Sequence, residues 1–194
     1  YILPRNKNLC TLCAIRVQFR RGRDFSCSIE VRTREDSKVV EGTYEKVEKE
    51  NFDDIHIRVE DKMNKLSPDG KIVRDKEIVV TIESPNDPCL DYLDLPGLSS
   101  FSNGQDGRVR DTMELARDVL TKEHEKSIFL LVLQAENNGI SNSVAAGLIE
   151  ELDGGTGRYT SRTVGALTKV DMFWSEDGKE YEDMNNLLHG EKIR

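Results

Sequence analysis

Proline, cysteine, basic charge and long apolar runs are all scarce in this chain, and each scarcity removes a class of protein. Only 5 prolines and 14 glycines occur in 194 residues, too few for a fibrous or low-complexity chain. With 4 cysteines and no secretory context, the thiols are expected to be reduced in a cytosolic compartment. No apolar run approaches the roughly 20 residues that a membrane-spanning helix needs. Tyr1-Ile2-Leu3-Pro4-Arg5 has no basic region followed by an apolar one, so it does not resemble a signal peptide. Lys and Arg number 28 against 36 Asp and Glu, and the resulting net charge of −8 argues against a nucleic-acid surface.

What is present is 37% hydrophobic and 33% charged residues, the composition of a soluble globular domain long enough for a real core. No Met precedes Tyr1, and the expectation is that the chain was cut from something longer. Arg16, Arg20, Arg21 and Arg23 form the one basic cluster; it reads as a solvated strand end and turn, with an anionic partner as the alternative. Cys10 and Cys13 make a Cys-x-x-Cys pair, but zinc needs two further ligands at a matching spacing, which Cys27 and Cys89 do not offer. Redox chemistry would place the pair at a helix N-terminus, and here an extended segment follows. The cysteines are therefore read as incidental, and His56, His124 and His189 as surface residues.

Periodicity gives an alternating order of elements. Residues 12–19 and 26–33 alternate apolar and polar side chains as strands do. From 44 to 66 the pattern turns helical, with Phe52, Ile55, Val59 and Met63 at spacings of three and four, and Ser67-Pro68-Asp69-Gly70 stops it. Runs at 77–83 and 90–94, joined by Asn86-Asp87-Pro88, suggest an antiparallel hairpin. A helix is expected over 109–122, with Met113, Ala116 and Leu120 on one face. A strand buried on both faces is expected over 127–133. Further elements are a helix over 141–152, a strand over 162–167 and a helix over 180–188. Strands alternating with helices in the second half imply βαβ units and an α/β sheet, mostly parallel and flanked by helices.

Two short motifs each close an apolar run. Leu93-Asp94-Leu95-Pro96-Gly97 ends one, and Thr168-Lys169-Val170-Asp171 ends another. In α/β sheets ligands sit beyond the carboxyl ends of strands, where both motifs fall. A nucleoside triphosphate bound with Mg²⁺ needs a carboxylate near the metal and a backbone N–H facing the γ-phosphate. Asp94 supplies the first and the amide of Gly97 the second, glycine permitting close backbone approach. Alone, Asp-x-Pro-Gly reads equally well as a plain strand-to-loop turn. The carboxylate of Asp171 can accept two hydrogen bonds from the N1–H and exocyclic amine of guanine, where adenine would present an acceptor. The stem of Lys169 can lie across the base. In this order the two motifs read as the switch and base-reading elements of a GTPase.

The residues that carry a closer resemblance are Ile2-Leu3-Pro4-Arg5 with Thr11, then Leu93 to Gly97, then Thr163-Val164-Gly165-Ala166-Leu167-Thr168-Lys169-Val170-Asp171. Together they resemble the GTPase domain of the dynamin family, nearly end to end, and Asn142-Ser143 with Ala145 is similar to that family's Asn-Ser-Asp-Ala run. The resemblance implies a P-loop NTPase-like α/β fold spanning residues 1–194 as part of one GTPase domain. It makes Thr11 the switch I threonine, a Mg²⁺ ligand whose backbone helps position the attacking water, and it assigns Thr168, Lys169 and Asp171 to the guanine site. It implies GTP as substrate, Mg²⁺ as cofactor, self-association through GTPase domains, and membrane remodelling from a cytoplasmic, membrane-peripheral location through regions outside these residues. Ordering of the switch loops by the γ-phosphate would drive such a cycle.

The departures from the family pattern are specific. No Gly-x-x-x-x-Gly-Lys-Ser/Thr phosphate loop occurs, and the family places it upstream of Leu3-Pro4-Arg5. The chain by itself is therefore expected to bind nucleotide poorly and hydrolyse almost none. Asn6 and Asn8 stand where the family has switch I glycines, and Leu12-Cys13-Ala14 replaces its Arg-Arg-Pro. Asn tolerates left-handed backbone better than most residues, so the loop shape is expected to survive. The alternative to an active parent GTPase is an inactive, nucleotide-independent module that pairs with an intact one. Retention of Thr11, Asp94, Gly97, Lys169 and Asp171 favours the enzyme.

Overall fold

A computed structural model describes residues 2–3, 11–98, 106–134 and 143–168. The chain divides into two compact units, Tyr1–Ala116 and Arg117–Arg194. In the first, five strands form one sheet: β1 (Ala14–Arg21), β2 (Ser26–Thr33), β3 (Glu45–Val47), β4 (Lys76–Ser84) and β5 (Leu90–Asp94). Their order is β3-β2-β4-β1-β5. Helix α1 (Ile55–Leu66) packs on β4.

Alternation in β1, β2 and β4 builds one apolar face and one mostly polar face, the latter interrupted by buried Ala14 and Val79. Register lines the apolar residues up in rows: Val31, Ile78 and Ile15; Ile29, Val80 and Val17; Cys27, Ile82 and Phe19. Apart from half-buried Phe19, these side chains are buried, as are Ile55, Val59 and Met63 on one stripe of α1. Each large aliphatic side chain buried in this way contributes about 1.5–3 kcal/mol. The opposite face carries paired polar groups. Arg16 holds Glu77 at 3.2 Å, Arg20 pairs with Asp91, Arg32 with Glu30, and Ser26 donates to Glu83 at 2.9 Å. Arg16 and Arg20, two members of the basic cluster, are thus committed to internal carboxylates.

Burial explains the thiols as well. It pushes Cys13 up to about 12 and Cys27 up to about 11, so both stay neutral, weakly reactive core thiols. Among the described residues no group of three or more His, Cys, Asp or Glu is arranged to hold a metal ion.

Three expectations about this unit are corrected. The run at 90–94 does not form a hairpin with 77–83: β5 pairs antiparallel with β1, and β1 lies between β5 and β4, to which it is parallel. The larger sheet is accordingly mixed, with parallel pairing between β1 and β4, while the α/β class with helices against the sheet stands. The helix expected from residue 44 starts only at Ile55, because Glu45–Val47 pairs with Cys27–Ile29 and a 3₁₀ turn, Lys49–Asp54, intervenes. Glu45 then draws Arg58 and Lys62 of α1 onto β3, with Lys62 at 3.1 Å.

Helix α2 (Asp106–Glu123) buries Thr112, Leu115, Ala116 and Val119, a stripe rotated from the expected Met113–Ala116–Leu120 face. Only Ala116 is shared, since Met113 and Leu120 sit at its flanks and are half-buried.

In the second unit β6 (Phe129–Gln134) and β7 (Thr163–Thr168) run parallel, with α3 (Val144–Asp153) as the crossover between them. Ser143 caps α3, its hydroxyl accepting from the Ala146 amide at 3.2 Å, and Gly154 closes it in the left-handed region at φ 54°. The strand expected to be buried on both faces is not: Leu130 is 64% exposed and Val132 57%. Among the described residues β6 pairs with β7 alone, and alternation puts Leu130, Val132 and Val164 on one open face. His124 is also corrected. Its ring lies 5.4 Å from that of Tyr159, its Nδ1–H donates to the Thr121 carbonyl at 2.7 Å, and its side chain is only 14% exposed. His189 and the helix expected at 180–188 lie outside the described residues.

Asp153, the last residue of α3, organises the segment leading into β7. Its carboxylate accepts from the amides of Gly157 at 2.8 Å, Tyr159 at 2.7 Å and Thr160 at 3.0 Å, and from the Thr160 hydroxyl at 3.2 Å. The hydrogen bond from the Thr160 amide, with those of Tyr159 and Gly157, holds the carboxyl down at about 2. A depressed carboxyl stabilises the folded state above its unfolded value of 3.8 and loses that contribution as pH falls toward about 2. Asp153→Asn is expected to lower the urea midpoint at neutral pH and to converge on the parent near pH 2. Equal midpoints at neutral pH would contradict this role.

Candidate functional site

The antiparallel pairing of β1 with β5 decides where the first motif sits. Ile15 stands opposite Asp94, so the start of β1 lies beside the end of β5. Thr11, just ahead of β1, is thereby brought to Asp94 across 83 positions of sequence, and its Oγ1–H donates to Asp94 Oδ2 at 3.2 Å. Among the described residues Thr11 is the only side chain that donates to this carboxylate.

The environment of the pair is uneven. Thr11 is buried and Asp94 half-buried. Burial raises the Asp94 carboxyl above its ordinary value of 3.8, and the bond from Thr11 offsets that rise only partly. Asp94 is thus a carboxyl group partly withdrawn from water, with the Thr11 hydroxyl as its hydrogen-bond donor. Such a group gains most from a hard cation, which oxygen ligands suit. A hydroxyl and a carboxylate meeting at a strand end thus fit Mg²⁺ by donor chemistry.

Beyond Asp94, Pro96 is buried and Gly97 exposed, so the turn is seated by the proline while the glycine backbone faces outward. In the second unit Thr168 ends β7 opposite Gln134 and donates through Oγ1 to the Leu133 carbonyl at 3.0 Å, tying the carboxyl ends of the two parallel strands. Lys169 and Asp171 lie outside the described residues. Of the expected site residues, then, the structure joins Thr11 to Asp94 directly, sets Gly97 three residues on, and puts Thr168 at a strand end in the other unit.

Motif reading missed what holds Thr11 in place. The next amide, of Leu12, donates to the thioether sulfur of Met63 at 3.2 Å, and the Leu12 carbonyl accepts from Val73 at 2.8 Å. Met63 stood out in the sequence only as a core position of α1.

The chain matches the sequence model described as "Dynamin family" over residues 1–170. It belongs to the dynamin family. Individual relatives are distant. The chain is 27% identical over 202 residues to the interferon-induced GTP-binding protein Mx1 of Mus musculus, covering 96% of this chain and 28% of that protein. It is 26% identical over 140 residues to the dynamin of Drosophila melanogaster, covering 71% of this chain and 15% of that one. Against dynamin-related protein 3B of Arabidopsis thaliana it is 30% identical over 127 residues, covering 63% and 15%. The chain thus spans less than a third of the length of each of these three relatives. The match reaches past β7 and takes in Thr11, Asp94, Gly97, Thr168 and Lys169, while Asp171 falls just beyond it.

Proposed function

We propose that residues 1–194 form part of one dynamin-type GTPase domain, in a protein that binds and hydrolyses GTP with Mg²⁺. The observation that carries this reading is the Thr11–Asp94 hydrogen bond at the β1–β5 strand ends. Family membership and the names of relatives described as GTP-binding support it.

Thr11 and Asp94 would hold Mg²⁺, which when bound neutralises charge developing on the transferred phosphoryl group. The lone pairs of the Thr11 oxygen would face the metal while its O–H keeps donating to Asp94. Asp94, as a carboxylate, would supply the negative charge that holds the cation in place. The Gly97 amide, on an exposed backbone behind buried Pro96, offers a donor to the γ-phosphate without side-chain obstruction. Lys169 covers the base and Asp171 reads its donor edge. The proposal extends to self-assembly through GTPase domains, membrane remodelling, and a cytoplasmic, membrane-peripheral location. These extend the same reading, resting on the family alone.

The experiment is GTP turnover by the full-length protein with Mg²⁺ and with the metal chelated. Turnover that needs Mg²⁺ is the expected result. Absence of both GTP binding and turnover would favour the inactive pairing module instead.

A further inference from the structure

We infer that Met63 is a positioning residue for Thr11, the threonine that would ligate Mg²⁺, acting through the backbone of Leu12. The inference rests on the proposed GTPase reading of the Thr11–Asp94 pair. A buried backbone N–H without an acceptor is costly, and nearly all such groups are paired. The Leu12 amide is buried in non-regular backbone ahead of β1, outside the strand pairings of the described residues, and its acceptor is the sulfur of Met63 at 3.2 Å. Thioether sulfur is a weak acceptor, so the choice of partner is informative. Leucine or isoleucine would fill the same core volume without serving this amide.

The peptide unit is held from its other side too. The Leu12 carbonyl accepts from Val73, in the segment after α1, so the last turns of α1 and the chain that follows clamp Leu12 at both polar groups. Leu12 being fixed, the Thr11 Cα has little freedom, and its hydroxyl is delivered to Asp94. Met63 is itself only 3% exposed and sits one stripe position beyond Val59 on the buried face of α1, so the sulfur is held by core packing. Helix α1 thereby sets the reach of a side chain 52 residues earlier in the sequence. A loosened Leu12 peptide leaves Thr11 bound to Asp94 only part of the time, and displacements of about 1 Å near reacting groups cost large factors in rate.

The test compares Met63→Leu with Ile55→Val in the full-length protein. The second substitution trims the same buried helix stripe but leaves the Leu12 amide alone. The Mg²⁺ concentration giving half-maximal GTP turnover does not depend on how much of the sample is folded. It is expected to rise about tenfold in Met63→Leu and to stay at the parent value in Ile55→Val. Equal shifts in both, or none in Met63→Leu, would overturn the inference. If Met63→Leu fails to fold, hydrogen exchange in the parent protein decides: slow exchange of the Leu12 amide supports the bond, and exchange as fast as an open loop contradicts it. A parent protein without Mg²⁺-dependent turnover would instead defeat the underlying GTPase reading, while the exchange result would still report on the clamp.

Discussion

Asp94→Asn in the full-length protein is expected to lower Mg²⁺-dependent GTP turnover about a hundredfold or more, while the fold becomes no less stable. The activity loss follows from charge. The amide keeps the shape of the carboxylate but withdraws the anion that would orient the metal, and charge stabilisation in a shielded site commonly supplies several kcal/mol. The stability result follows from linkage. Burial raises the folded-state value of Asp94 above 3.8, so the folded state binds the proton more tightly than the unfolded chain does. For a carboxyl shifted in that direction, stability is greatest below the unfolded value and falls as pH rises through the folded value. At neutral pH the ionised group is therefore a cost, one that Asn removes while still accepting from the Thr11 hydroxyl. Thermal melts of both proteins at neutral pH, beside turnover assays, check the two halves together. An inactive variant that also melts much earlier would mean that Asp94 is a structural residue.

The second large effect is a change of base. Asp171→Asn is expected to weaken GTP binding about a hundredfold or more and to shift preference toward xanthosine triphosphate, because the amide replaces half of an acceptor edge with donors. Xanthine presents a carbonyl where guanine has its exocyclic amine, so the altered edge matches it. Competitive titration of the two nucleotides measures the preference. Unchanged discrimination in favour of GTP would remove Asp171, and with it the Thr168-Lys169-Val170-Asp171 motif, from the base site.

Both predictions start from motifs that were visible in the chain as short runs of residue types, and the structure shows why that visibility had limits. The period-2 alternation of residues 26–33 was enough to find β2 with its bounds unchanged, because one face of the strand is buried and the other solvated. The same alternation said nothing of partners. The Asn86-Asp87-Pro88 turn implied a hairpin, yet β1 inserts between the two strands, a pairing set by contacts more than 60 residues apart in sequence. Helical spacing from Phe52 onward was sound for α1 but overran its start, since Glu45–Val47 gains more by pairing with β2 than by extending the helix. In α2 the stripe expected from Met113, Ala116 and Leu120 turned instead to Thr112, Leu115, Ala116 and Val119, because burial there does not follow hydrophobicity alone.

The candidate site shows the same division. Asp94 and Gly97 were legible because a carboxylate followed by a Pro-Gly turn at a strand end is a local pattern. Thr11 was legible only through family resemblance, as nothing in its immediate neighbours marks it. Its hydrogen bond to Asp94 depends on the β1–β5 register, and the Met63 sulfur beneath the Leu12 amide depends on where α1 lies. Neither leaves a trace in residue spacing.

On the proposed reading Thr11 and Asp94 act as one unit on Mg²⁺ and phosphate, which a double-mutant cycle on kcat/KM for GTP reads out through Thr11→Ala, Asp94→Asn and both together in the full-length protein. Residues that work through a shared group are strongly non-additive, so the double variant is expected to be hardly slower than Asp94→Asn alone. Losses that multiply, each substitution costing its full factor in the presence of the other, would show that the two residues act independently and would contradict the account.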